Sequence, residues 1–244
     1  MNKALYINTP RVYVDKTLNN DSKIVLDKEQ SHYLIKVMRR TKGDLIRLFN
    51  GNSGEWCAEI LNESKSDCEV VCTKKIRSAQ QEKAVHVIFS PVRKNRVADF
   101  IVKGVELGAT EFHPVITEHT QVHNLNIKRL NKLIIEAAEQ SERIILPIIH
   151  PLIALDELLT NWLQTNKLIA CIERQDNIPA LSSNHLSALD DIAFIVGPEG
   201  GFSDREKEQM RSNDRILPVS IGEDILRVET AIIFMLSCIK FMKL

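Results

Sequence analysis

Long apolar runs are missing from this sequence. No hydrophobic stretch reaches the roughly 20 residues that a membrane-spanning helix needs, and the opening MNKALYINTPRVYVDK holds no apolar core of signal-peptide length. The expectation is a cytoplasmic protein. Cysteine is sparse: Cys57, Cys68, Cys72, Cys171 and Cys238 make an odd number with no CxxC. That argues against a disulfide scaffold or a cysteine-based zinc site, and Cys68 and Cys72 read as buried thiols. His119 and His123 are four apart, but TEHTQVHNLN reads as loop and lacks Cys or acidic partners at ligand spacing, so no metal is expected there. Net charge is also missing, with 32 Lys+Arg against 32 Asp+Glu. The balance hides an asymmetry. Residues 1–78 carry 14 basic against 10 acidic side chains and residues 79–244 carry 18 against 22. A mildly basic front suits a polyanionic partner, although ordinary surface scatter gives the same figures.

Glycine is scarce too, with nine in 244 residues. Three of them fall within five positions, in FIVGPEGGFSD at 194–204. The loop is not a Walker A motif, because no G-K-[ST] follows, and it is not G-x-G-x-x-G. Glu199 inside it disfavours a phosphate cradle. Clustered glycines bare backbone N–H and C=O groups, which can read an adenine edge; a tight turn demanded by packing is the competing reading.

The rest of the chain supplies the setting. Up to residue 78, KIVLD, DLIRLFN, EWCAEIL and DCEVVCTKKI read as short strands, with a turn at NGNSG and one helix from Gln30/Ser31 to Gly43. RSAQQEK, 77–83, reads as a linker. Beyond it strands and helices alternate: strands at AVHVIFS, EFHPVIT, KLIACIE, DIAFIVG and RILPVSIG, and helices at 96–107, 128–140, DREKEQMR and 227–242. The strands are nearly continuous apolar runs, as in a parallel sheet covered on both faces. The last helix is apolar almost all round, which predicts burial or packing on another subunit. Ser203 and Glu206 form a capping box, so a helix opens directly after the glycine loop. Ligands of open α/β sheets bind at the carboxyl ends of strands. A second irregular loop, SIGEDILRVETA, follows the next strand. Two such loops predict two walls of one pocket, with Arg227 holding a substrate anion or pairing with Glu229 or Glu199.

FIVGPEGGFSDREKE and IGEDILRVETA together resemble the two C-terminal signatures of the SPOUT methyltransferases. Over its whole length the chain is similar to the RsmE family of 16S ribosomal RNA uracil-N3 methyltransferases. RVY (11–13) and HYLIKVMRRTKGDLIRLFNG (32–51) look like that family's PUA-like RNA-binding domain. RKNRVADFIVKGVELGATEFHPVITEH and EAAEQSERIILP match its middle segments.

The resemblance implies an α/β fold in which a small PUA-like β-barrel domain, 1–76, precedes a trefoil-knotted SPOUT domain, 77–244. It implies S-adenosylmethionine, with adenine among the backbone groups of Ile172, of Val196, Gly197, Pro198, Glu199, Gly200 and Gly201, and of Ile221, Gly222, Ile225, Leu226 and Arg227. Thr230 and Ala231 would start the helix that closes the site. Arg227 and Glu199 are the candidate catalytic residues: Arg227 to stabilise a uracil anion, Glu199 to orient it, accept its proton or hold the loop. Arg11, Arg39, Arg40, Arg93, Lys94, Arg96 and Arg143 are the candidate RNA contacts. The implied partners are a second copy of the chain and 16S RNA, within the 30S subunit. The chain departs from the family pattern at Asp224 and His119, where arginine is usual, at Glu142, where glycine is usual, and at Ala98, where an acid is usual. Two alternatives stay open: a SPOUT methyltransferase acting on another RNA, and an inactive RNA-binding protein of the same fold.

Overall fold

The computed structural model describes residues 9–162, 167–173, 178–187 and 191–242, apart from the side chains of Lys94 and Ser187. Backbone packing divides it into two compact units: residues 1–81 with 138–146, and residues 82–137 with 147–244. The division is therefore not a single cut near residue 76, because the stretch 138–146 packs with the N-terminal unit.

The N-terminal unit is a five-stranded sheet. Its strands are β1 (Arg11–Tyr13), β2 (Lys23–Val25), β3 (Leu45–Asn50), β4 (Gly54–Ile60) and β5 (Glu69–Arg77). The order is β1-β3-β4-β5-β2, with β1 parallel to β3 and the other pairs antiparallel. The sheet curls around a core that includes Leu34, Ile46, Leu48, Ala58, Ile60 and Val70. Asn50 sets the β3–β4 turn, because its Oδ1 accepts the backbone N–H of Asn52 at 3.0 Å and of Ser53 at 2.7 Å. That local bond is what makes asparagine a turn former.

The helix expected from Gln30/Ser31 to Gly43 starts earlier and stops sooner. It is α1 (Lys28–His32), continued by a π-turn over Tyr33–Val37. Asp27 is its cap: Oδ1 accepts the Gln30 N–H at 2.8 Å, and the Gln30 side chain receives the Asp27 N–H. Ser31 cannot cap because its hydroxyl is buried, donating to the Leu26 carbonyl and accepting the Cys68 N–H at 2.9 Å. The helix ends where Arg39 turns to φ +53°.

A buried ion network lies in this unit. Glu55 is wholly buried on β4. Its Oε1 accepts from Arg11 Nε at 2.7 Å and lies 3.4 Å from Arg47 Nη1, and its Oε2 accepts from Arg77 Nε at 2.5 Å. Burial pulls the Arg11 guanidinium below its usual value, against the opposing pull of Glu55. A buried charge that loses its partner is costly. Glu55→Ala is therefore expected to lower the stability of this unit by about 3–5 kcal/mol, measured by urea denaturation. A loss below ~1 kcal/mol would show the network to be idle.

The second unit is a parallel sheet. Its strands are β6 (Val85–Phe89), β7 (Glu111–Ile116), β8 (Ile148–Ile149), β9 (Ile153–Ala154), β10 (Leu168–Cys171), β11 (Ile192–Val196) and β12 (Ile216–Val219). The order is β12-β10-β11-β6-β7-β8, and β9 adds to β7. The helices of this unit are α2 (Lys94–Leu107), α3 (Ile127–Ser141, whose residues from 138 on belong to the N-terminal unit), α4 (Leu155–Trp162), α5 (Ser183–Ser187), α6 (Asp204–Arg211) and α7 (Val228–Met242). All residues of β10 and β11 are buried, as their unbroken apolar runs predict. Leu155, Leu158 and Leu159 of α4 and Met210 of α6 join Ile88, Ala170 and Ile195 in one core cluster, while α2 packs against α7. Strands β8 and β9 and helices α4 and α5 had no expectation. Two-residue strands carry no periodicity, and Pro147 and Pro151 interrupt their stretch.

Candidate active site

Three parallel strands end side by side, in the order β12-β10-β11. The chain leaving each of them lines one cleft of about 420 Å3. From β10 come Cys171, Ile172 and Glu173. From β11 comes the whole run Val196, Gly197, Pro198, Glu199, Gly200, Gly201 and Phe202. From β12 come Ile221, Ile225, Leu226 and Arg227, and Val228 and Ala231 of α7 close the floor. Arg96 of α2 and Lys207 of α6 complete the wall.

The glycines have local reasons. A Cβ on Gly197 would come within 2.9 Å of the Phe202 ring, and Gly201 sits at φ +70°, where side chains are strained. The turn closes through Gly201 N–H donating to the Pro198 carbonyl at 2.8 Å. His119 Nδ1 lies 3.0 Å from the Gly201 carbonyl and 3.2 Å from that of Gly200. Both partners are acceptors, so Nδ1 carries the proton and donates. His119, an arginine in the family pattern, thus still supplies a donor to the loop.

Behind the loop, α6 opens with the expected capping box. Glu206 N–H donates to Ser203 Oγ at 3.1 Å, and Ser203 N–H donates to Glu206 Oε2 at 2.8 Å. The buried Glu206 also takes the Glu118 N–H on Oε1 at 2.9 Å. One carboxylate therefore fixes two loops. Glu118 is held below the usual carboxylate range, first by its hydrogen bond from Arg205.

The charges pair differently from the expectation. Glu199 pairs with Arg96, not with Arg227. Arg96 Nε also lies 3.6 Å from Glu229 Oε1. Glu229 Oε2 is buried with no hydrogen-bond partner among the described residues. Arg227 is exposed at the cleft, and among the described residues its guanidinium has no ion-pair partner. Cys171 is no nucleophile: burial, helped by Glu173, pushes its thiol up to about 12.

Of the residues expected at the cofactor, Gly222 and Thr230 are not on the cleft wall. Gly222 borders a neighbouring apolar hollow, and Thr230 is exposed on α7. Sequence reasoning missed Cys171, Glu173, Phe202, Lys207 and Val228. Phe202 and Lys207 lie within or next to the motif, and their periodicity gave no sign of the inward turn.

The expected RNA contacts divide. Arg11 needs correction. It is buried, and besides Glu55 its guanidinium donates to the carbonyls of Ala138 at 2.6 Å, Glu139 at 3.1 Å and Arg143 at 2.9 Å. Stacked 4.0 Å over the Phe49 ring, with four of its five N–H donors engaged inside the protein, it is a structural residue and not a surface contact for a phosphate. Arg96 is committed to Glu199 at the cleft. Arg39 and Arg93 are exposed, and Arg40 and Arg143 are half-buried; the Lys94 side chain lies outside the described residues. Glu142 occupies a left-handed conformation, φ +60°, which is the physical reason for glycine at this place. Its carboxylate instead receives a bond from Arg47 Nη1 at 2.9 Å. Burial raises that carboxyl, but Arg47, Arg77 and Arg11 outweigh it and leave it below its usual range.

Known proteins define the class. Residues 79–240 match the RNA methyltransferase domain family, and residues 26–71 match the RNA methyltransferase PUA domain. Ribosomal RNA small subunit methyltransferase E of Rickettsia conorii is 34% identical over 227 residues, covering 91% of both chains. That of Bacillus subtilis is 28% identical, covering 87% of this chain and 88% of its own. Among solved structures, the Neisseria gonorrhoeae enzyme of the same name, bound to S-adenosyl methionine, superposes with a TM-score of 0.85 at 27% identity, covering 96% of this chain and 98% of that one. A putative methyltransferase of Legionella pneumophila, in complex with the same cofactor, also superposes at 0.85 with 28% identity over the same shares. The chain belongs to the ribosomal RNA small subunit methyltransferase E family.

Proposed function

We propose that this protein is an S-adenosylmethionine-dependent methyltransferase that modifies ring nitrogen 3 of a uridine in 16S ribosomal RNA, on the 30S subunit and as a homodimer. The observation that carries the reading is the single cleft formed by the glycine loop and the 221–227 loop, with an arginine at its wall that has no ion-pair partner among the described residues.

The cleft fits the cofactor. Its volume suits a nucleoside-sized ligand. Ile172, Ile221, Leu226 and Ala231 give an apolar lining, the glycine loop bares backbone donors and acceptors, and the carboxylates of Glu173 and Glu199 lie on the wall of a site that would take a cationic cofactor. Ile225 stays about half exposed although apolar, as expected of a side chain that covers a ligand. These residues, with Gly197–Gly201, would hold S-adenosylmethionine, which supplies an electrophilic methyl group. The trefoil knot that the family resemblance implies belongs to the same proposal.

The chain's own part concerns the uridine. Nitrogen 3 lies on the pairing edge, so the base must be unpaired and turned out of its stack. That nitrogen must also lose a proton. The proton passes to bulk water, and Arg227, which has no ion-pair partner among the described residues, stabilises the resulting uracil anion. Glu199 orients Arg96 at the cleft wall through their ion pair, and Arg39, Arg40, Arg93, Lys94 and Arg143 stay as the RNA contacts of this proposal.

The second copy is supported by α7. Its inner side is buried through Val228, Ile232, Met235 and Leu236, but Phe234, Phe241 and Met242 remain exposed, with Phe241 at 75%. They border an apolar hollow of about 380 Å3. Such a patch on a monomer is a liability unless covered. Phe241→Glu is expected to convert a dimer to a monomer in sedimentation equilibrium; an unchanged dimer would remove this face from the interface.

A further inference from the structure

A cluster of chemistry-bearing side chains lies at the other end of the sheet from the cleft. His86 stands near the start of β6, and Glu111 and His113 near the start of β7. His86 is in register with Glu111, and 111 and 113 are two apart, so all three project from one face of the sheet. His150 follows β8, which pairs alongside β7. Trp162 at the end of α4 sets its ring edge-on to His86 and His113, at 4.7 and 5.2 Å between centroids.

Three ligand-capable atoms converge there. His86 Nδ1 is 3.1 Å from His113 Nε2, His86 Nδ1 is 3.6 Å from Glu111 Oε2, and His113 Nε2 is 3.5 Å from Glu111 Oε2. A triangle with those sides has a circumradius of about 2.0 Å, and zinc binds imidazole nitrogen and carboxylate oxygen at about 2.0–2.2 Å. One point is therefore at bonding distance from all three atoms with no side-chain movement. A hydrogen-bonded trio has no need of this convergence, since only the 3.1 Å edge is a good hydrogen-bond length.

The surroundings are those of a ligand set. His150 Nε2 lies 2.7 Å from Glu111 Oε2, and the His150 ring stacks on His113 at 4.1 Å with a 10° tilt. A carboxylate ligand steadied by a further imidazole is the usual support of a metal centre. His86 is partly exposed, so an ion has a way in. Two imidazoles and one carboxylate suit a borderline divalent ion and not calcium or magnesium, which take oxygen sets.

We propose that His86, Glu111 and His113 form a binding site for a divalent transition-metal ion of the zinc class, steadied by His150 and separate from the cofactor cleft. The ion clips the N-terminal ends of β6 and β7 together and keeps at least one position open to water. No residue of the site touches the cleft wall, so its role is structural.

The test uses the full chain, stripped with a chelator and dialysed against Zn2+, with Co2+ as the spectroscopic probe. The expected result is one Zn2+ per chain, Co2+ visible bands of four- or five-coordinate intensity, and a melting temperature raised by several degrees at saturating Zn2+. His86→Ala, at the exposed edge, keeps its circular dichroism and loses more than about 100-fold in affinity, and His150→Ala loses about 10–100-fold. His123→Ala, outside the cluster, binds as the wild type does. Wild-type chain that takes up no stoichiometric Zn2+, or folded His86→Ala that holds Zn2+ as tightly as the wild type, overturns the proposal. Extended X-ray absorption on the wild-type zinc complex decides independently of any variant: sulfur in the shell contradicts the site, and two imidazoles with oxygen support it.

Discussion

Arg227→Ala is expected to slow single-turnover methyl transfer about 10²–10⁴-fold at saturating S-adenosylmethionine. Cofactor affinity should change only a few-fold. Among the described residues the guanidinium has no ion-pair partner. Glu199 and Glu229 are both engaged by Arg96, so neither neutralises Arg227. An exposed cation at a cleft wall, with no ion-pair partner among the described residues, is placed for a charge that arrives with the substrate. A loss of this size in the chemical step, with binding intact, is the mark of an interaction made mainly in the transition state. Arg227→Lys should recover only part of the rate, since an ammonium keeps the charge but not the planar fork. A wild-type rate in the alanine variant would remove Arg227 from the chemistry.

Gly197→Val is expected to abolish measurable cofactor binding in calorimetry, a loss of more than about 100-fold, which corresponds to ~2.7 kcal/mol. Even a single Cβ there lies 2.9 to 3.2 Å from three atoms of the Phe202 ring. Phe202 is buried against Met210 and Ile195 in the core, so it has little room to retreat. The glycine loop must move instead, and it forms one wall of the cleft. Gly197→Ala should show the same effect more weakly. Wild-type affinity in the valine variant would mean that the loop is not part of the binding wall.

Five strands of the parallel sheet, all but the two-residue β8 and β9, are legible because burial leaves continuous apolar runs, and the cleft loops because scarce glycine is concentrated at one strand end. The capping box at Ser203 was legible because its two partners are three residues apart. What stayed hidden depends on distant partners. Arg96 and Glu199 are 103 positions apart, and no local pattern says which acid an arginine will find. Arg11 reads as a surface cation by composition, yet β1 turns it inward to Glu55 and three carbonyls. Gln30/Ser31 marks the helix start in the sequence, and only the fold shows that Asp27 caps it and that the Ser31 hydroxyl is spent on Cys68. The histidine cluster draws on residues 86, 111, 113 and 150, whose spacing in the chain resembles no ligand motif.

The central claim is that this cleft methylates nitrogen 3 of a uridine in small-subunit RNA. The most direct measurement is transfer of labelled methyl from S-adenosylmethionine to 30S subunits from cells lacking the native activity, with the modified nucleoside identified by mass spectrometry. The expected product is 3-methyluridine at about one per subunit, with little label on free RNA. Cofactor binding by calorimetry with no label on 30S subunits, or label on a different base, would contradict it.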